Sequence, residues 1–479
     1  MEILIVFIVM LVVLIGFAFG LYKYKNRSPK PDYLEYYKTQ DKVPEGKVGV
    51  FATSLIMTEE HDHPFWYNIA YKVFTQVIPW PFRLFAFQDN GVALMDPAHT
   101  HARKEFTPTR LVDPFGRERD SDGFPWMDKY KKGELTWVPP SRMLYLDHGY
   151  FLYKGRKSGE PTIVGKMANY SRLYYYGCSI VQKKCPHWKG SFEIIDGAFD
   201  RLKQKYPDVE FLAETALFHY ESREKLRRLL DAGCDTIVIS APMTIYSHFE
   251  EFNSSFRHSF EHIEEWEKEH PGKKIKVIFA PQMGDFQPMR QAFLEMLKDR
   301  LDTIPEGADV TVAVTVHGMP WDSFKWEAWL QLAPAYRDKL FEECKELLKK
   351  YKFGRTNTVV CQDEFSDPIW DPKEKYLSTN RAYWAAINDG YDYAIGLPIE
   401  FLVENTDTMM HHAMKCYENF DQYDIDEPID YPDWSVPYTR EMIQGKTHVI
   451  YNGLPVGKYQ KHVIEALYQS IDSVLSKRK

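Results

Sequence analysis

The run Val310-Thr-Val-Ala-Val-Thr-Val316 is apolar or β-branched throughout and leads directly into His317-Gly-Met-Pro320. A stretch so short and so rich in β-branched residues predicts a strand buried on both faces, as at the middle of a parallel sheet. Gly318 and Pro320 close it with a turn. The His317 imidazole is thereby delivered to the carboxyl end of a strand, which is where open α/β sheets place their ligands.

The same grammar recurs along the chain. Strands are predicted at Lys47 to Ala52, Val209 to Ala213, Thr236 to Ser240, Lys276 to Ala280, Thr358 to Cys361 and Tyr393 to Leu397. Helical patterns separate them at Gly190 to Tyr206, Ser222 to Ala232, Gln291 to Leu301, Tyr336 to Lys350 and Asn380 to Asn388. Alternation of this kind predicts an α/β fold of two pseudo-symmetric, doubly wound, Rossmann-like parallel-sheet halves facing a shared cleft, residues 47–268 and 269–455. Residues 79–170, rich in Pro, Gly and aromatics, are expected to form an irregular insertion of long loops, and residues 456–479 a helix packed on the body.

Ile3 to Leu21 is apolar without interruption, and Lys23, Lys25, Arg27 and Lys30 follow it. Residues 1–24 are therefore expected to be a single transmembrane anchor and residues 25–46 a polar linker. The positive-inside rule then places the globular part on the cytoplasmic side. Across 479 residues, 60 Lys and Arg stand against 68 Asp and Glu, a formal charge of -8 that gives no footprint for nucleic acid. Six cysteines lack any C-x-x-C pair, so neither a zinc ribbon nor a disulfide framework is written here.

Polar groups follow two further strands, in Cys361-Gln-Asp-Glu-Phe-Ser-Asp-Pro-Ile-Trp370 and Pro398-Ile-Glu-Phe-Leu-Val-Glu-Asn-Thr-Asp407. Imidazole and carboxylate on converging loops can capture a divalent metal or take protons near neutral pH. Other histidines allow other accounts. His258 and His262 lie one helical turn apart, but on a helix with Glu261, Glu264 and Glu265 a solvated face is the plainer explanation. His61, His63, His248 and the pair His411-His412 leave both a metal role and a packing role open.

These segments resemble the ferrochelatase family. His317-Gly-Met-Pro320 is similar to the family's His-Ser/Gly-x-Pro, Gln362 through Trp370 to its Gln-Ser…Pro-x-Pro-Trp, and Pro398 through Asp407 to its Pro-Ile-x-Phe-x-x-Asp-His-x-Glu. Upstream, Gly233 through Ser247 resembles the strand leading into Pro-Leu-Tyr-Pro-Gln-Tyr-Ser. All four occur in the family's order, and the likeness covers about Glu210 to Met409. The resemblance implies a chelatase-type fold and insertion of ferrous iron into a porphyrin without ATP, in haem biosynthesis. It implies His317 as metal ligand and proton acceptor, Asp407 as a second metal ligand, and Glu404 and Asp407 as its acidic partners. Met57, Tyr246, Ser247, Gln362, Trp370 and Phe401 would border the substrate. No cofactor is expected beyond the iron substrate, and the cysteine spacing matches no iron–sulfur ligand pattern. The expected partners are a porphyrin, a divalent metal and the membrane, with a membrane protein as a further option.

Asn405 stands where the family has histidine, and Asp407 is one methylene shorter than the family's glutamate. Those departures motivate one alternative, a tetrapyrrole- or haem-binding protein without turnover. A chelatase for another metal or tetrapyrrole is a second, and a tethered two-lobed protein that captures a metal chelate, which requires the body to face outward, is a third.

Overall fold

The structure is a computed structural model that describes residues 2–25, 27, 30–56, 93–94, 135–138, 150–153, 186–216, 219–319, 326–363, 377–405, 408–413, 415–417, 419–422, 431 and 433–478. The chain divides into two compact units, one of residues 1–32 and 66–171 and the other of residues 33–65 and 172–479.

In the first unit, helix α1 (Glu2–Lys25) contains the segment Ile5–Tyr24, exposed along its length and long and apolar enough to cross a bilayer. Strands β2 (Ala93–Leu94), β3 (Leu135–Val138) and β4 (Tyr150–Tyr153) form an antiparallel sheet in the order β2-β4-β3. The segment expected to be long loops thus contains regular structure. Its strands are too short to stand out from the surrounding Pro- and Gly-rich sequence.

The second unit begins with helix α2 (Tyr33–Thr39), inside the segment expected to be a linker. Tyr33, Leu34 and Tyr37 are buried, and Tyr33 and Tyr36 pack on Phe260. Burial of side chains this large is worth about 1.5–3 kcal/mol each, which docks the segment on the body.

A four-stranded parallel sheet follows, made of β1 (Val48–Ser54), β5 (Glu210–Thr215), β6 (Thr236–Ser240) and β7 (Lys276–Phe279) in the order β5-β1-β6-β7. Its connecting helices are α3 (Pro186–Lys205), α4 (His219–Asp231) and α5 (Phe256–Glu269). A division at residue 268 would assign β7 to the second half. Its parallel pairing with β6, Val238 opposite Ile278, places it in the first sheet.

After α6 (Gln287–Leu301) comes a six-stranded sheet of β8 (Val310–His317), β9 (Thr356–Asp363), β10 (Leu377–Ser378), β11 (Tyr393–Pro398), β12 (Arg440–Gln444) and β13 (Thr447–Tyr451). The order is β10-β9-β8-β11-β13-β12, with only β12 antiparallel to its neighbour. Helices α7 (Ala328–Leu332), α8 (Pro334–Leu348), α9 (Thr379–Asn388) and α10 (Gln460–Leu475) complete the unit.

Alternate strand residues enter different cores, as a two-residue period requires. Val48, Val50 and Val238 of the first sheet and Val312, Val314 and Ile395 of the second share one core with α3, α6, α8 and α10. Phe51, Ile237 and Ile239 face α2, α4 and α5. Ala313, Cys361 and Tyr451 face α9. Both sheets are therefore covered on both faces, and among the described residues they are joined through a common helical layer.

Candidate functional site

Strand β8 is buried along its whole length and ends on His317, which is 5% exposed. The parallel register sets Asp363 of β9 directly beside His317. The Gly318 N–H donates to the Asp363 carbonyl at 2.6 Å, which locks the two strand tips together. Gln362 pairs with Val316 and so lies on the opposite face of the sheet from His317 and Asp363. That placement corrects the expectation that Gln362 borders the same substrate site.

On the other flank of β8, the loop after β11 begins at Ile399. Glu400 is buried, its Oε2 accepts the His317 backbone N–H, and its Oε1 accepts the indole N–H of Trp329. Phe401 sets its ring edge-on to the His317 imidazole, with centroids 5.7 Å apart, and the His317 Nδ1 lies 2.7 Å from the Gly318 carbonyl. Burial pushes the Glu400 carboxyl up to about 7, against the pull of His317 and of the hydrogen bond from Trp329.

Glu404 is fully buried four residues on, and its Oε2 accepts hydroxyl hydrogen bonds from Thr408 at 2.6 Å and Tyr451 at 2.8 Å. Burial pushes this carboxyl up to about 7 as well. The loop is held from beneath by α3, where a Cβ at Gly190 would meet Val403 Cγ1 at 2.6 Å. Only glycine admits Val403 there. Asn405 closes the loop, because its Oδ1 accepts the Thr408 N–H at 3.0 Å and starts the π-helical turn Thr408–His412.

A third group lies beside these. Asp363 Oδ2 is 2.6 Å from His412 Nδ1 and 3.3 Å from Cys416 Sγ, and one ligating atom of each residue lies within 4.8 Å of the others. Carboxylate, imidazole and thiol are all buried, a donor set able to hold a transition-metal ion.

Of the predicted site residues, Phe401 lies against His317, while Glu404 is held by Thr408 and Tyr451. Met57, Trp370 and Asp407 lie outside the described residues, as do His61 and His63. Tyr246 and Ser247 have other employment, which corrects their expected role against substrate. The Tyr246 hydroxyl is spent on the carbonyls of Ala241 and Ala280, both at 3.2 Å, and its ring packs on Tyr37, Phe252 and Phe256. Ser247 caps the π-helical turn His248–Ser255, its Oγ accepting the Glu250 N–H at 2.9 Å. Burial lowers the His262 pKa, in keeping with a structural place for that ring.

Sequence reasoning passed over Glu400, Asp363, Cys416 and Tyr451. For Glu400 a signal existed, a lone carboxylate within Leu397-Pro-Ile-Glu-Phe-Leu-Val403. A hollow of about 380 Å³ opens beside Val403, bordered by Lys189, Gly190, Trp434 and Gln460, and no predicted site residue lines it.

No family model and no curated protein matches the sequence. Solved structures that resemble it include a LacI-family transcription repressor from Corynebacterium glutamicum, at 9% identity over 59% of this chain and 87% of that one, TM-score 0.25. The Cra transcriptional dual regulator from Pseudomonas putida, in complex with fructose 1-phosphate, matches at 12% identity over 60% and 88%, TM-score 0.24. A periplasmic solute-binding protein of an ABC transporter from Actinobacillus succinogenes 130z, with bound D-allose, matches at 11% identity over 61% and 88%, TM-score 0.25.

Proposed function

We propose that this chain is a membrane-anchored enzyme of the ferrochelatase type that inserts ferrous iron into a porphyrin. The observation that carries this proposal is the convergence on the tip of β8 of the buried His317, the Phe401 ring set against its imidazole, and the Glu400 carboxyl, which accepts the His317 backbone N–H and whose proton affinity burial raises into the neutral range. Insertion releases two pyrrole N–H protons for each divalent ion taken up, so the site needs acceptors that load and unload near pH 7. His317 accepts a pyrrole proton or holds the incoming iron. Glu404 passes protons onward through the hydroxyls of Thr408 and Tyr451, and Asp407 serves with His317 as the second metal ligand. Glu400 is a positioning residue, because its carboxyl grips the His317 backbone. Phe401 and Trp370 give the macrocycle apolar walls. Helix α1 crosses the bilayer once, and the positive residues behind it keep the body on the cytoplasmic side, where an apolar porphyrin partitions into the adjacent membrane.

Iron insertion by the purified full-length protein under anoxic conditions tests the proposal, with His317→Ala as the comparison. Loss of turnover in the variant is expected, and an undiminished rate removes His317 from the chemistry.

Asn405 favours a second reading, a tetrapyrrole carrier without turnover. Its side chain is engaged with Thr408 and the Val403 carbonyl, at 3.0 and 3.4 Å, where the resembled family places an imidazole. Absorbance titration with porphyrin followed by ferrous iron separates the two, since a carrier shifts the porphyrin spectrum and forms no metalloporphyrin.

A further inference from the structure

The tip of β9 and the turns after β11 hold a group of side chains that porphyrin metallation as proposed above does not use. We infer that Asp363, His412 and Cys416 form a binding site for a borderline-soft divalent transition metal, of which Zn²⁺ is the model, distinct from His317.

The donor set carries the chemistry. Magnesium and calcium take oxygen ligands, whereas one thiolate, one imidazole and one carboxylate suit zinc and its neighbours. A buried His–Asp pair needs no thiol to satisfy it, since S–H is a weak donor. Here Cys416 Sγ nevertheless lies 3.3 Å from the same carboxylate oxygen that meets His412 at 2.6 Å.

The geometry is close to what an ion requires. Tetrahedral zinc, with bonds of about 2.0–2.3 Å, sets its ligand atoms roughly 3.3–3.7 Å apart. The three donor atoms lie between 2.6 and 4.8 Å from one another, so adjustments of about 1 Å seat the ion.

The frame is rigid. Asp363 is fixed by its register with His317 and by the hydrogen bond from Gly318. His412 and Cys416, four residues apart, come from successive helical turns, and the His412 ring stacks on Tyr451 with centroids 6.4 Å apart. Three protein ligands leave a fourth position for water or another donor. Binding releases the Cys416 proton to solvent while His412 coordinates as neutral imidazole and Asp363 as carboxylate, so affinity falls as pH is lowered.

The test titrates Co²⁺ anaerobically into chelator-treated full-length protein in detergent. One equivalent is expected to give a thiolate-to-cobalt charge-transfer band that Zn²⁺ displaces. Cys416→Ser is expected to abolish the band and weaken binding at least tenfold, Asp363→Asn to weaken it, and His317→Ala to leave it in place. Because a variant could fail to fold, alkylation of the unmodified protein is mapped by mass spectrometry, and Zn²⁺ is expected to slow modification of Cys416 selectively. Absence of the band, its survival in Cys416→Ser, or protection confined to other cysteines would overturn the assignment. The His317→Ala arm keeps it separate from the chelatase proposal, since that variant tests turnover and leaves these three ligands intact.

Discussion

Glu214, at the end of β5 in the four-stranded sheet, is buried, yet its carboxylate meets Lys225 Nζ at 2.7 Å and the Thr215 N–H at 2.9 Å. Glu400 and Glu404, after β11 in the six-stranded sheet, are also buried, but the partners that hold them are an indole, two hydroxyls and main-chain N–H groups. In the first sheet a charge answers a charge, and the pair pins α4 to the strand. In the second, burial outweighs the pull of neighbouring imidazoles and neutral hydrogen bonds, and the proton affinity of both carboxyls rises toward neutrality. The same residue type is thus ion-paired at one strand end and held by neutral donors at another.

The contrast breaks most easily at His317. Replacement by alanine is expected to slow the proposed metal insertion by about 10²-fold or more, the usual contribution of a positioned acid–base group. Steady-state rates across pH measure this, and an unchanged rate and profile would detach the imidazole from the carboxyls around it.

Glu404→Gln tests the electrostatic half. A carboxyl raised from 4.5 to about 7 in the folded state keeps its proton after the unfolded chain has lost it. Wild-type stability should therefore fall as pH rises from about 4.5 to about 7 and then level off, by roughly 3 kcal/mol for this group. The glutamine variant, whose single carbonyl still accepts from Thr408 and Tyr451, is expected to lose that slope. Denaturant titrations at several pH values decide it, and identical slopes in both proteins would show that Glu404 titrates normally.

Gly190→Ala probes how the loop is held. The added methyl collides with Val403, next to Glu404, and overpacking of this kind costs about 1–3 kcal/mol. Thermal melting measures the loss, and a fully stable variant with normal turnover would mean that α3 does not position the loop.

The smallest effect is expected at Lys225→Met. Glu214 then becomes a buried carboxyl without its cation, at a cost of about 1–2 kcal/mol given the partial exposure of the lysine. Thermal melting beside the wild type measures the loss, and an unchanged melting temperature would mean that the pair does not hold α4 to the strand.

Much of the framework is visible in the sequence because buried parallel strands demand β-branched residues on both faces. The segments 236–240 and 310–316 are legible for that reason, and the structure ends them at Ser240 and His317. The hairpin β12–β13 escapes the same test. Burial alternates along β12, and Arg440, Glu441 and Gln444 dilute the apolar signal, although Gly445 at a φ of +61° marks the turn. Helix α2 was hidden by its position behind the anchor, with its tyrosines as the overlooked clue. The placing of Phe401 beside His317 is readable from motifs after strands. The grouping of Asp363 with His412 and Cys416 was not, because only the parallel pairing of β8 with β9 and the turns after β11 bring such distant residues to one place.

His317 closes a strand that has a hydrogen-bonded neighbour on each side and buried residues from end to end. Amides so enclosed exchange with solvent only when the whole body opens, so deuterium uptake at Val312 through Val316 should report global unfolding. Heat inactivation of the proposed chemistry should then coincide with the cooperative melt of the domain.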